Sequence, residues 1–126
     1  MDTAVSQHER ITRYVRNGSD MRRGDGRPKW SAFMPRKEGG DISAYRTDGI
    51  SAAEIRAIGV NFVERPQSPL KGYCNLVASA CFAEGLNIVS DPARHARHAN
   101  VVGWAADPKN RLIAKKLADQ ADLVEY

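Results

Sequence analysis

Two histidines and two arginines fall within the run Asp91-Pro92-Ala93-Arg94-His95-Ala96-Arg97-His98-Ala99-Asn100. Imidazole titrates near neutral pH, so it can both take and give a proton there. One histidine is a candidate general base on a ribose 2′-hydroxyl and the other a candidate general acid on the leaving oxygen. A guanidinium would stabilise the extra charge on phosphorus. That combination is metal-independent ribonuclease chemistry. His98 is the favoured member of the pair, because it abuts a strand expected over residues 100–104 and groups at element ends are held tightly. His95 is then its support. Arg46 is the candidate guanidinium: it stands in an expected strand over residues 42–46, on the face of Ile42 and Ala44. An arginine in that setting either snorkels outward at the end of a sheet or is paired in a cleft. The competing structural reading leaves His95 exposed and packs His98 at a loop–strand junction, donating to a backbone carbonyl.

Other chemistries fit less well. Cys74 and Cys81 could join the histidines in a metal site, but Cys-x6-Cys and His-x2-His both depart from the Cys-x2–4-Cys and His-x3–5-His of structural zinc modules. No metal and no cofactor are expected. Seven positions separate the cysteines, about 10 Å on a helix and over 20 Å on a strand, beyond the reach of a disulfide. Free thiols suit a reducing compartment, and the cytoplasm is the expected location. Both cysteines lie in an apolar run without an adjacent base, which suits packing and not nucleophilic catalysis. Gly24-Asp25-Gly26-Arg27-Pro28-Lys29 has the glycines of a phosphate-binding loop. It lacks the preceding strand and the Lys-Ser/Thr ending, and Pro28 removes an amide donor.

Charge gives the broader functional signal. The chain has 126 residues and a net charge of +4. Residues 8–37 contain nine Arg and Lys against Glu9, Asp20 and Asp25, a local +6, which leaves the remainder at −2. A basic block beside a near-neutral body points to an anionic partner: nucleic acid, RNA before DNA, or an acidic protein. Arg13, Arg16, Arg22, Arg23, Arg27 and Lys29 are the candidate phosphate contacts, with Trp30 as a candidate base-stacking ring. Phe33 is expected to face the core. No apolar run approaches the roughly 20 residues that cross a bilayer, and residues 1–10 have no basic-then-apolar order of a secretory signal. No membrane partner is expected.

These residues need elements to position them. Ile11, Tyr14 and Val15 are spaced as on a helix, predicting one over residues 8–16 that ends at Asn17-Gly18. Residues 30–34 and 42–46 read as strands of a hairpin. Ser51-Ala52-Ala53-Glu54 is a capping box, and Ile55, Ile58, Phe62 and Val63 continue it as an apolar stripe, predicting helix 51–64 before Pro66. Residues 73–84 suit a helix face through Cys74, Val77, Ala78 and Cys81, with a strand over 75–80 as the alternative. Strands are expected over residues 86–89 and 100–104. Asp107-Pro108 opens a helix over 108–124, with Ile113, Leu117, Ala121 and Val124 facing inward. The expected fold is α+β: one compact domain, a small, mainly antiparallel sheet and three to four helices on one face. Residues 1–7 are expected to be a flexible start and 8–126 the domain, with a basic arm and loop over 8–37.

The motifs Lys29-x-x-Ala32-Phe33-x-Pro35, Arg46-x-x-Gly49, Glu54-Ile55 with Gly59, Gly85-Leu86 and His98-Ala99-Asn100-Val101-Val102-Gly103-Trp104 together resemble a group of small bacterial proteins of unassigned function. The likeness spans about residues 11–124, and its closing His-Ala-Asn-x-x-Gly-Trp segment is the most specific part. It implies a bacterial or phage setting and a single domain, and brings no catalytic residue with it. Two functional expectations stand side by side. One is a nucleic-acid-associated protein, extended to a ribonuclease by His98, His95 and Arg46. The other is a non-catalytic interaction protein, an inhibitor or antitoxin-like regulator.

Overall fold

In a computed structural model the chain is described over residues 4–16, 27–36, 40–106 and 108–125. Among these, six strands form one antiparallel sheet: β1 (Arg10–Val15), β2 (Ile42–Arg46), β3 (Gly72–Val77), β4 (Asn87–Ser90), β5 (His98–Val102) and β6 (Asp122–Glu125), in the order β4-β5-β2-β1-β3-β6. Three α-helices accompany it: α1 (Ala52–Ile58), α2 (Ala78–Ala83) and α3 (Lys109–Gln120). The α+β class with an antiparallel sheet therefore holds. No helix among the described residues is long and apolar enough to cross a membrane.

Strand alternation gives the sheet two different faces. Ile11, Ile42, Ala44, Leu76, Ile88 and Val101 occupy one face and are buried in a core with Cys81 of α2 and Ile113, Ala114 and Leu117 of α3. Burying an aliphatic side chain of this size contributes about 1.5–3 kcal/mol relative to exposure, so this layer carries most of the folding energy. The opposite face presents Thr12, Tyr14, Tyr45 and His98, neighbours across the strands. Here α1 closes in: the Tyr14 hydroxyl donates to the Ile55 carbonyl at 2.5 Å. Of the three to four helices expected on one face, α2 and α3 lie there, whereas α1 stands across the sheet against Tyr14.

Several elements differ from the sequence expectation. The segment expected as a helix over residues 8–16 holds the strand β1, Arg10–Val15. β1 has the core against Ile11 and Val15 on one face and α1 against Tyr14 on the other, so it shows no clean alternation. Its Ile-Thr-Arg-Tyr-Val composition, β-branched and aromatic, favours a pleated strand over the accidental helical spacing. Residues 30–34 do not form a hairpin with 42–46. Trp30–Phe33 is a 3-10 turn with Ala32 and Phe33 buried, and β2 pairs instead with β1 and β5. Residues 73–84 divide into strand β3 and helix α2. The expected helix 108–124 ends at Gln120, and Val124 belongs to β6, opposite Tyr73. Asp107, the expected cap, lies outside the described residues. The chain is also tied down ahead of residue 8: the Ser79 amide donates to the Gln7 carbonyl at 2.9 Å, and Val5 packs against the core.

The capped helix forms as its residues require. The Glu54 amide donates to Ser51 Oγ at 3.2 Å, and the Ser51 hydroxyl meets the Glu54 carboxylate at 3.2 Å. After Ile58 the helix widens into a π-helical turn, Gly59–Val63. Gly59 is seated on the sheet so closely that a β-carbon there would come within 2.6 Å of both the Tyr14 ring and a Leu70 methyl. The wider turn carries Phe62 out of the Ile55 stripe: Ile55 is buried and Phe62 is exposed.

Candidate nucleic-acid interface

The sheet face that carries Tyr14 and Tyr45 opens into a groove of about 710 Å³. One wall is the π-helical turn and the loop after it, contributing Phe62, Val63, Arg65 and Ser68. The other comes from Ser31, Met34 and Arg36, with Asp41 and Ser43 at the start of β2. Arg16 lies at the end of β1, and Arg94 and His98 complete the lining. Five arginines and one aspartate among the described lining residues make the groove strongly positive. A concave surface lined by one sign of charge concentrates the opposite sign.

The nine basic residues of segment 8–37 do not act alike. Arg10 donates to Thr47 Oγ1 at 3.2 Å, to the Thr47 carbonyl and to the Ile50 carbonyl at 2.9 Å, pinning the loop after β2. Arg13 lines the groove, but its guanidinium donates to the Ala32 carbonyl at 2.9 Å and the Ser43 carbonyl at 2.8 Å. Arg27 donates to the Asp119 carbonyl and to the Ala121 carbonyl at 3.2 Å, satisfying acceptors at the C-terminal end of α3, where the helix dipole favours a cation. Lys29 is exposed outside the groove. Trp30 packs against the core with the Arg111 guanidinium 5.5 Å over its ring, also away from the groove. Arg22, Arg23 and Lys37 lie outside the described residues. Arg16 and Arg36 remain in the groove, joined by Arg65 and Arg94 from later in the chain. No described carboxylate pairs with Arg16, Arg36 or Arg65. Arg94 reaches Asp91 only at 4.0 Å and is largely exposed, a pair that contributes little.

The three residues expected to form a catalytic set are divided. Tyr45 pairs with His98 across β2 and β5, so their side chains share the groove face, while the next residue, Arg46, points to the other face. There Arg46 Nε donates to Glu9 Oε1 at 2.5 Å, Nη2 to Oε2 at 3.0 Å and Nη1 to Ser90 Oγ at 3.0 Å. Arg46 ties Glu9 and Ser90 to the core side of the sheet and is not in the lining of the groove that includes His98. His95 and His98 do come to one side, flanking the Tyr45 ring with centroids 5.7 and 5.2 Å away. His95 Nδ1 accepts from the Arg97 amide at 3.0 Å, which leaves Nε2 to carry the proton of the neutral ring. His98 is 1% exposed. Its Nδ1 lies 3.3 Å from Asp91 Oδ2, near enough for attraction but out of line for a hydrogen bond, and neither ring nitrogen has a hydrogen-bond partner among the described residues.

Burial pushes the His98 pKa below its ordinary value, outweighing the raising effect of Asp91. A neutral buried imidazole has a stability consequence. The unfolded chain binds the proton more readily, so the stabilisation is complete above about pH 6.5 and is lost as pH falls from there through the folded-state value. Glu9 adds a second loss at lower pH, because its hydrogen bonds to Arg46 hold its carboxyl below the usual range. The melting temperature should therefore fall in two stages on acidification. In His98→Phe the upper stage should be absent whatever the variant's absolute melting temperature, as scanning calorimetry between pH 8 and pH 4 can test. An unchanged upper stage would assign it to another group.

The cysteines are inert by placement. Cys74 on β3 and Cys81 on α2 are both buried, and burial pushes the Cys81 thiol up to about 12. Among the described residues no group of three or more His, Cys, Asp or Glu side chains is arranged to hold a metal ion. Compared with known proteins, this chain matches no family model, no curated protein and no solved structure. Phe62 and Arg65 carried little signal in the sequence: the first reads as part of the α1 stripe, and the second is a single arginine before a proline.

Proposed function

We propose that this protein binds nucleic acid, RNA in preference to DNA, along the arginine-lined groove, and does so in the cytoplasm. The observation that carries this reading is the convergence of Arg16, Arg36 and Arg65 on one groove with no carboxylate partner among the described residues. Guanidinium groups that satisfy internal carbonyls, such as those of Arg13 and Arg27, are structural. Groups without an internal partner, gathered in a concavity, remain available to phosphates. The hydroxyls of Ser43 and Ser68 lie in the same lining, and such groups can recognise a ribose 2′-hydroxyl, the feature by which a protein separates RNA from DNA. Binding is favoured over cleavage by the enclosure of His98, whose ring nitrogens have almost no solvent-accessible surface. An attacking ribose hydroxyl needs a base within hydrogen-bond reach.

Binding of fluorescent 12-residue RNA and DNA strands at 50 and 200 mM salt tests the reading. Four phosphate contacts on a single strand give a log–log salt slope of about −2.8, or roughly a 50-fold loss of affinity over that range, with the RNA bound more tightly. Affinity indifferent to salt would remove the phosphate-contact proposal. Salt-dependent binding to an acidic protein surface, with no affinity for RNA, would transfer the groove to the interaction-protein alternative.

A further inference from the structure

Phe62 does something a structural residue has no need to do. It is a large apolar ring, 57% exposed, in the lining of the arginine-rich groove. Leaving it open forfeits the roughly 1.5–3 kcal/mol that burial would return. The ring nevertheless has a defined neighbour. It meets His95 edge to face, with centroids 4.5 Å apart and planes at 72°. Its backbone belongs to the π-helical turn, a feature that recurs at functional sites, and Gly59 anchors that turn against Tyr14 and Leu70. An exposed ring beside the guanidinium groups of the groove has the attributes of a stacking platform: an aromatic face for a base and cations for the phosphates on either side.

We infer that Phe62 stacks on an unpaired base and that the groove accordingly takes single-stranded nucleic acid. This rests on the nucleic-acid reading above and extends it: Arg16, Arg36, Arg65 and Arg94 hold the phosphates, and Phe62 sorts strands by whether a base is free to lie on it. Bases in a duplex are stacked on one another and offer no open face. Stacking is also tolerant of sequence, since every base has a π-face, so the expected preference is for strandedness and not for a motif.

Fluorescence anisotropy on the full chain separates the two contributions. The probes are 12-residue oligouridylate, oligoadenylate, an abasic 12-mer with the same number of phosphates, and a 12-base-pair RNA duplex. The single strands with bases should bind roughly 5- to 150-fold more tightly than the abasic strand, the range expected of one stacked base. In Phe62→Ala that advantage should disappear while abasic binding and its salt dependence persist, and Phe62→Trp should preserve the advantage. Equal binding of normal and abasic strands by the unaltered protein would overturn the Phe62 assignment and leave the groove reading standing. An advantage that survives in Phe62→Ala would do the same, as would a duplex bound as tightly as the single strands. Failure of the protein to bind any of the probes overturns both.

Discussion

Glu9→Ala is expected to lower the free energy of unfolding by about 2–4 kcal/mol, an effect of the size seen when one member of a buried ion pair is removed. The side chains of Arg46 and Glu9 are only 16% and 12% exposed. Their contact is bidentate, with both carboxylate oxygens accepting from the guanidinium. Truncating Glu9 removes the carboxylate that accepts from both Nε and Nη2 of the largely buried Arg46, so the cost exceeds that of one lost bond. Removing both charges should be milder. In Glu9→Ala with Arg46→Met, an unbranched apolar chain replaces the guanidinium and its buried charge, and most of the loss should be recovered. Urea unfolding of the three proteins at pH 7 gives the comparison. A cost below about 1 kcal/mol for Glu9→Ala would class the pair with solvent-screened surface bridges. The same experiment bears on the role of Arg46: a residue whose removal matters to stability and not to RNA affinity is fixing the chain start to β2, as its partners indicate.

What the sequence made legible follows the range of the interactions involved. α1 was readable because its start is decided within four residues, by the Ser51 and Glu54 exchange. α3 was readable because Ile113, Leu117 and Ala121 repeat at a helical period and all three are buried. β1 was not, because a strand covered on both faces loses the alternation that identifies a half-buried one. Here Ile11, Tyr14 and Val15 happened to imitate a helix face. The passage from β3 to α2 carries no glycine or proline to mark it: Val77 is extended, and Ala78 begins the helix. The candidate site was legible only as charge. Segment 8–37 was seen to be basic, but which cations serve internal carbonyls and which face outward depends on contacts 19 to 94 positions apart in the chain. The groove itself is tertiary, assembled from five stretches of sequence. Arg65, Arg94 and Phe62 become a group only when the sheet brings the turn after α1 and the loop before β5 to the same face.

That tertiary origin makes the groove separable from net charge by experiment. Arg65→Glu combined with Arg94→Glu should weaken oligouridylate binding about 100-fold at 50 mM salt and reduce the log–log slope from about −2.8 to about −1.4, since two of four phosphate contacts are lost on a single strand. The remaining part of the loss is repulsion, two carboxylates facing phosphates within a concavity where the field is focused. Both arginines are exposed, and the one ion pair between them and a described carboxylate, Arg94 with Asp91 at 4.0 Å, is too long and open to matter to folding. The variant should thus melt within a degree or two of the parent. Lys109→Glu with Lys115→Glu supplies the comparison. It changes net charge by the same amount, on exposed positions of α3 outside the groove lining. If binding were a response to overall basicity, the two double variants would lose affinity equally. A groove that collects phosphates requires the α3 variant to keep most of its affinity and its full salt slope, because charges separated from the ligand by more than about 10 Å are screened at 0.1 M salt.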